Sequence, residues 1–411
     1  MEWKEVRLGD IVSIKSGLAY KGAFIGKGEN ILLGMGCVSF KDKFLFSGAR
    51  PYEADCDDKY CVEPGDIVLA TRQQSDNLPI LAMPAIIPSS LKAKKIIYGT
   101  NLYKVENHSE VTNDFLFWQL KTPDYIDYIS SVKTGSVVRM VTKKNVEDYV
   151  FRCPPKEVRD RISKLLWGLD RKIELNNKIN ADLEEMAQAI FKNWFVEFEP
   201  FKDGKFVDSE LGMIPEGWKV GTIGDIVEFQ NGFAFSSKDF SENGEYKIIT
   251  IKSVQDGYLV TDGSSKVTEY PTKMPAYCKL QSGDILLSLT GNVGRCCLVT
   301  EPNLLLNQRV AKIKAKESYD NSFSYALFRL KETKELLISI SRGTAQANLS
   351  PVEASKLPMV IPSEDARKNF SMISDTIMDK IISIHIESSR LSLLRDTLLP
   401  RLMSGELEVP E

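Results

Sequence analysis

A chain of 411 residues, 43% hydrophobic and 27% charged, can bury ample core and on length alone divides into two or three domains. A net charge of −3 and a pI near 5.8 exclude a protein that coats nucleic acid indiscriminately, so any DNA role needs basic residues gathered on particular faces. Seven cysteines without paired metal spacing and only two histidines, His108 and His385, leave little for a metal centre or a His-based triad. The cysteines read as reduced and structural. The opening MEWKEVRLGD has no apolar signal region, and no run of about eighteen apolar residues occurs, so neither secretion nor a membrane span is expected and the cytoplasm is the default location.

Taken in chain order, the first elements return later as a second copy. EWKEVRLGDIVSIKSGLAY at the start reappears as GWKVGTIGDIVEFQNGFAF, setting Trp3 on Trp218, Asp10 on Asp225 and Gly17 on Gly232. PGDIVLATRQQ corresponds to SGDILLSLTGN, and FWQLK at Phe117 to Lys121 corresponds to LFRLK at Leu327 to Lys331. TGSVVRMVTKKNVEDYVFRCPP answers RGTAQANLSPVEASKLPMVIPS, with Gly135 on Gly343 and Pro154 on Pro362. Within each copy, short Val/Ile/Leu runs between Gly, Pro, Asn and Asp predict strands. One amphipathic helix per copy is expected, over NDFLFWQLKTPDYIDYISSV and over SFSYALFRLKETKELLISIS. A short helix should follow each glycine turn, and in the second copy Ser350, Pro351 and Glu353 fall at N-cap, N1 and N3.

Each copy then runs into a long heptad pattern. In the first, Ile162, Leu166, Leu169, Ile173, Asn176, Asn180, Leu183, Ala187, Ile190 and Trp194 form one seam, broken by no proline and by Gly168 alone among glycines. About 38 helical residues make a rod of roughly 57 Å, too long to fold back into a small core. The same offset lays a second seam on Phe370, Ser374, Ile377, Ile381, Ile384, Ser388, Leu391, Arg395, Leu398 and Leu402. The repeat therefore supplies the partner helix, and a near two-fold relation makes the pair antiparallel. Two asparagines in the seam imply that register matters. Trp167, Phe191, Trp194 and Phe195 supply more aromatic area than a two-helix seam covers, which marks either an interface for partners or packing on the adjoining domains.

The expected fold is α+β: two pseudo-repeated globular domains, each a curled β-sheet with helices, separated by two long antiparallel coiled-coil helices. Boundaries fall at 1–156, 157–198 for the central helix, 199–216 for a linker, 217–363, and 364–411 for the C-terminal helix and tail.

At WKEVRLGDI, SELGMIPEGW and AIFKNWFVEFEPF the chain resembles the specificity (S) subunit of a type I restriction-modification system. The resemblance covers the whole length and rests on order, duplication and spacing, since each motif is short and apolar. It implies a non-catalytic subunit whose two target-recognition domains read a bipartite double-stranded DNA site. It further implies two adenine-N6 methyltransferase partners, which would hold S-adenosylmethionine, and a restriction translocase able to join them. This chain itself is expected to bind no cofactor or metal.

Catalytic motifs are missing from the residues as well. Cys153-Pro154-Pro155-Lys156 lacks the amide or acid and the aromatic of an adenine methyltransferase motif, and reads as a strand-to-helix corner. GAFIGKG is not a phosphate-binding Walker loop, because three residues rather than four separate its glycines and Gly28 replaces Ser or Thr. Asp66 and Asp284 occupy equivalent positions, and each opens a strand from a turn.

Base edges in the major groove are read by Arg, Lys, Asn and Gln, whose donors and acceptors match them in pairs. In the first copy the candidates are Arg72, Gln73, Gln74, Ser75 and Asn77, then Lys92, Lys94 and Lys95, then Lys133, Ser136 and Arg139 around Gly135. In the second they are Asn292 and Arg295, then Asn307, Gln308 and Arg309, then Arg342, Thr344, Gln346 and Asn348 around Gly343. Arg309 could equally pair with a buried acid. The competing reading of the whole chain is a coiled-coil protein-interaction scaffold with two β-rich binding modules and no DNA role. Steep weakening of DNA binding with salt separates the two.

Overall fold

The computed structural model describes residues 3–74, 79–343 and 347–409. Two compact units are present: Met1–Arg171 with Leu391–Glu411, and Lys172–Arg390. The boundary between them falls within both long helices, Lys156–Phe195 and Glu364–Ser404.

The first unit holds two four-stranded sheets. One runs in the order Val12–Ser16, Leu102–Asn107, Ile67–Ala70, Pro84–Ile86, antiparallel throughout; the other runs Ala49–Tyr52, Ile25–Leu33, Ile96–Tyr98, Cys61–Val62, with a parallel central pair. The second unit repeats this plan. Val227–Asn231, Val310–Ala315, Ile285–Ser288 and Cys296–Leu298 form its antiparallel sheet, and Tyr246–Ile249 pairs in parallel with Leu304–Leu306 in the other. In both units the central strand is buried along its whole length, because it is covered on both faces.

Gly17 and Gly232 show why the repeat retains glycine there. A Cβ on Gly17 would lie 2.1 Å from the carbonyl oxygen of Gly99, and one on Gly232 would lie 2.2 Å from that of Asn307. The chain crosses from one sheet to the other at this contact, through the bridges Leu18↔Gly99 and Phe233↔Asn307. Asp66 and Asp284 also keep one job in both copies. Each carboxylate accepts the backbone N–H three residues earlier and pairs with a lysine on the neighbouring strand, Lys104 at 2.8 Å and Lys312 at 2.7 Å.

The single amphipathic helix expected in each copy is two helices. Asn113–Gln119 stops before Pro123–Val132, since Pro123 disfavours helical geometry at Thr122, whose hydroxyl instead caps the next helix by accepting from the Tyr125 N–H. In the second copy Asn321–Arg329 and Lys331–Ser339 meet at Leu330, which has extended geometry. Ser350 caps Pro351–Ser355 as its position predicts, accepting from the Glu353 N–H. Val150–Cys153 is a strand and the first long helix begins at Lys156, so the Cys-Pro-Pro stretch is the expected corner.

Both predicted seams are inward. Ile162 and Leu166 bury against Leu402 and Met403 in the first unit, while Phe191 and Phe195 bury against Phe370 and Phe323 in the second. The helices run antiparallel: Asp170 pairs with Arg395 at 2.9 Å in the first unit, and in the second the Asn176 amide donates to Glu387 at 2.9 Å while Phe191 meets Phe370. The other seam asparagine, Asn180, buries its amide without a hydrogen-bond partner among the described residues.

Of the aromatics that exceeded the seam, Trp167 packs on the globular elements, whereas Trp194 packs on the two long helices and the segment that follows the first. Trp167 lies half-buried on Phe117 and Trp118, with centroids 5.3 Å apart in each case, and Trp194 packs against Phe195, Phe201 and Phe370. The stretch expected as a linker also has structure. Phe206–Val207 pairs with Ile214–Pro215, and Phe198 and Phe201 enclose the Trp218 ring.

Candidate nucleic-acid interface

The candidates after the central strand of the first unit are brought together by the sheet register. Beyond buried Ile67–Ala70 the chain continues as Arg72–Gln73, which pairs antiparallel with Arg139–Met140. Gln73 thereby sits opposite Arg139. The turn before Arg139 is closed by reciprocal backbone bonds of 2.9 Å between Thr134 and Met140. Gly135 makes that turn possible, with φ +90 and no room for a Cβ, which would meet the Val138 carbonyl oxygen at 2.2 Å. The Arg139 guanidinium closes the turn further by donating to the Gly135 carbonyl at 2.5 Å.

A third segment joins from the other sheet. Thr71 donates its N–H to the Asn101 carbonyl at 3.0 Å and accepts from the Val141 N–H at 3.4 Å. Residues 71–74, 99–101 and 133–141 therefore form one edge. Arg72, Gln74 and Ser136 are exposed on it, Lys133 and Arg139 are half-buried, and Gln73 is only 6% exposed. The Gln73 side chain turns inward and accepts the Leu81 N–H at 3.1 Å, which makes it a support for the segment that carries Arg72 and Gln74.

The second unit builds the same edge. Leu289 donates to the Arg309 carbonyl at 3.1 Å and accepts from the Leu349 N–H at 2.7 Å, while Arg342 and Asn348 exchange backbone bonds of 2.9 and 2.8 Å across the Gly343 turn, where φ is +113. The Thr290 hydroxyl donates to the Asn348 side chain at 2.9 Å. Asn292, Gln308, Arg309, Arg342 and Asn348 are exposed here. Exposure of Arg309 sets aside its alternative as a buried ion-pair partner. Arg295 is half-buried beside the same strand end and donates to Gln255 at 2.5 Å. Asn307 is half-buried, and its side chain accepts from the Arg309 N–H.

Other candidates fall elsewhere. Lys92 and Lys94 are exposed, but they precede strand Ile96–Tyr98, whose far end leads to Gly99–Asn101, so the register places them away from Arg72. Lys95 beside them is tied to Asp55 at 2.9 Å and Asp58 at 3.0 Å, and these hydrogen-bonded carboxylates hold its ammonium pKa above the usual range. Ser75, Asn77, Thr344 and Gln346 lie outside the described residues. The sequence candidates did not include Thr100 and Asn101. Asn101 occupies the place of Arg309 in the repeat, and the offset that sets Gly135 on Gly343 was the available signal.

Among the described residues, neither edge brings together a nucleophile, a general base and a metal-ligating cluster. Among the described residues no group of three or more His, Cys, Asp or Glu side chains is placed to hold a metal ion. His108 meets Ser13 at 2.9 Å, while burial lowers the pKa of His385. No helix among the described residues is long and apolar enough to cross a membrane. The described residues offer donors and acceptors on the framed Gly135 turn and on the Arg342–Asn348 pair.

A family model described as the type I restriction modification DNA specificity domain matches residues 1–185 and again residues 215–388. The chain belongs to this family, and the two matches coincide with the internal repeat. Its relatives include the specificity subunit of the type I restriction enzyme MjaVIII from Methanocaldococcus jannaschii, 29% identical over 67% of this chain and 66% of that protein. The specificity subunit of HindI from Haemophilus influenzae is 24% identical over 89% of this chain and 90% of its own. The alignments to the M. jannaschii MjaVIII and MjaIX subunits thus span 66% and 61% of those proteins, slightly under two-thirds. In fold, the S subunit from M. genitalium superposes with a TM-score of 0.53 at 15% identity, covering 98% of this chain and 96% of that one.

Proposed function

We propose that this chain is the non-catalytic specificity subunit of a type I restriction-modification system, in which each edge reads one half of a bipartite double-stranded DNA target. The observation that carries this reading is the recurrence of one backbone arrangement carrying two different sets of side chains. A common scaffold with private donors and acceptors is what two half-sites of different sequence require. In this proposal Arg72, Gln74, Asn292, Gln308, Arg309, Arg342 and Asn348 address bases, together with Asn77, Thr344 and Gln346. Gln73, Arg139 and Arg295 hold the edges in shape. Lys133 and Ser136 contact phosphate beside the turn, and Lys92 and Lys94 contact phosphate alone.

The recognition domains are 1–156 and 217–363. Between them the helix pair, 157–198 with 364–411, is the spacer that sets the half-site gap. Met372, Ile373, Leu393 and Leu394, apolar and exposed on the second long helix, suit docking of two adenine-N6 methyltransferase subunits, to which a restriction translocase can add. Methyl transfer and its S-adenosylmethionine belong to those partners, and the complex works in the cytoplasm.

The test is methylation mapping in a host that expresses the chain with its methyltransferase partner. Replacing residues 1–156 with another copy should change one half of the methylated motif and leave the other intact. A change in both halves, or in neither, refutes the reading. Inserting one heptad into each long helix adds about 10.5 Å and should widen the gap by about three base pairs.

A further inference from the structure

The first edge carries a feature that polar base reading does not use. Its turn projects Val137, 82% exposed, with Val138 and Met140 exposed beside it. A branched apolar side chain left that open usually finds no reason in the fold. Here the turn is held rigid by the Thr134–Met140 bonds, by Gly135 and by the Arg139 guanidinium. The apolar tip is therefore presented in a fixed place, at the end of the strand pair in which Met140 faces Arg72 and Arg139 faces Gln73. In the second copy the sequence sets Ala345 and Gln346 where Val137 and Val138 stand, so the tip chemistry is private to the first edge.

Resting on the half-site reading above, we infer that Val137, backed by Val138, is a specificity-determining residue that contacts the C5-methyl group of one thymine in the half-site read by the first domain. The chemistry fits. In the major groove the thymine methyl is the apolar group among polar base edges, and a small branched side chain on a rigid turn can pack against it while Arg72 and Gln74 bond to neighbouring bases. Changing Val137 leaves the packing of the fold intact, because that side chain covers no core.

The experiment uses the full chain with its methyltransferase partner and a duplex carrying the mapped motif, with each thymine of both half-sites replaced in turn by uracil, which lacks the methyl. One position, in the half-site relaxed by Arg72→Ala, should weaken binding about fourfold, the size expected for burying one methyl group. Val137→Ser should bind the thymine and uracil duplexes equally, and Val137→Ile should keep the discrimination. The inference is overturned if no uracil position matters, or if Val137→Ser weakens both duplexes alike, as a wedge or a packing role would. Should Arg72→Ala relax one half-site while uracil is silent everywhere, this inference alone fails. If both are silent, the half-site reading fails with it.

Discussion

The two edges share their backbone and differ in what they present. Thr71 and Leu289 make the same pair of bonds, to Asn101 and Val141 in one copy and to Arg309 and Leu349 in the other. Yet Asn101 is replaced by an arginine, and an apolar turn by a polar one. The scaffold is thus separable from the message it carries. Below the edges the copies differ in another way. At the end of helix Asn321–Arg329, the Arg329 guanidinium pairs with Glu184 at 3.0 Å, and the Tyr325 hydroxyl donates to the same carboxylate. Burial works against the Arg329 charge, but Glu184 outweighs it and keeps the guanidinium pKa above its usual value. Just after the corresponding helix of the first copy stands Lys121, 9% exposed, which donates to the carbonyls of Lys41 and Asp42 and has no carboxylate within ion-pair distance among the described residues. Burial, and then the nearby Arg395, lower its pKa to about 8.

The sharpest way to break this comparison is Arg329→Met, which strands Glu184 in the second unit. A loss of about 3 to 5 kcal/mol is expected in denaturant unfolding, against a much smaller loss for Lys121→Met. Equal losses would show that the two helix ends are anchored alike. Next in size, Gly135→Ala forces a Cβ into the Val138 carbonyl at positive φ. It should cost about 1 to 3 kcal/mol and abolish selection at one half-site while the other still directs methylation. Arg72→Ala combined with Gln74→Ala leaves the turn intact. Each bidentate pairing with a base that it removes should cost about 1 to 3 kcal/mol, read as relaxed methylation specificity in the same half-site. Unchanged specificity would remove both residues from the interface.

The smallest effect is a pH dependence. Between pH 8 and 10.5 the unfolded chain holds the Lys121 proton and the folded chain has released it, so raising the pH through that window favours the folded state. Wild-type stability measured relative to Lys121→Met should therefore rise across the window; a flat difference would mean that Lys121 is solvated.

Much of this was legible in the residues because it is local. Heptad spacing marked both seams, and the structure turns both inward. The Ser350 cap, the Cys-Pro-Pro corner and the Gly135 turn follow from the chemistry of a few neighbouring residues. The single helix expected over Thr122 was the exception, because Pro123 forbids helical geometry there, whereas FWQLK and LFRLK do end their helices at equivalent positions, Gln119 and Arg329.

By itself, then, the sequence determined the repeat, the two long helices and the stretches where polar residues gather, since each is a matter of spacing along one chain. Only the tertiary structure decided which of those stretches meet. Pairing of Arg72–Gln73 with Arg139–Met140 brought two candidate stretches together, drew in Asn101 unannounced, turned Gln73 inward and left Lys92 and Lys94 at the other end of the sheet. The physical reason is strand register. Pairing across a sheet joins residues far apart in sequence, and a shift of one residue would send every side chain to the opposite face.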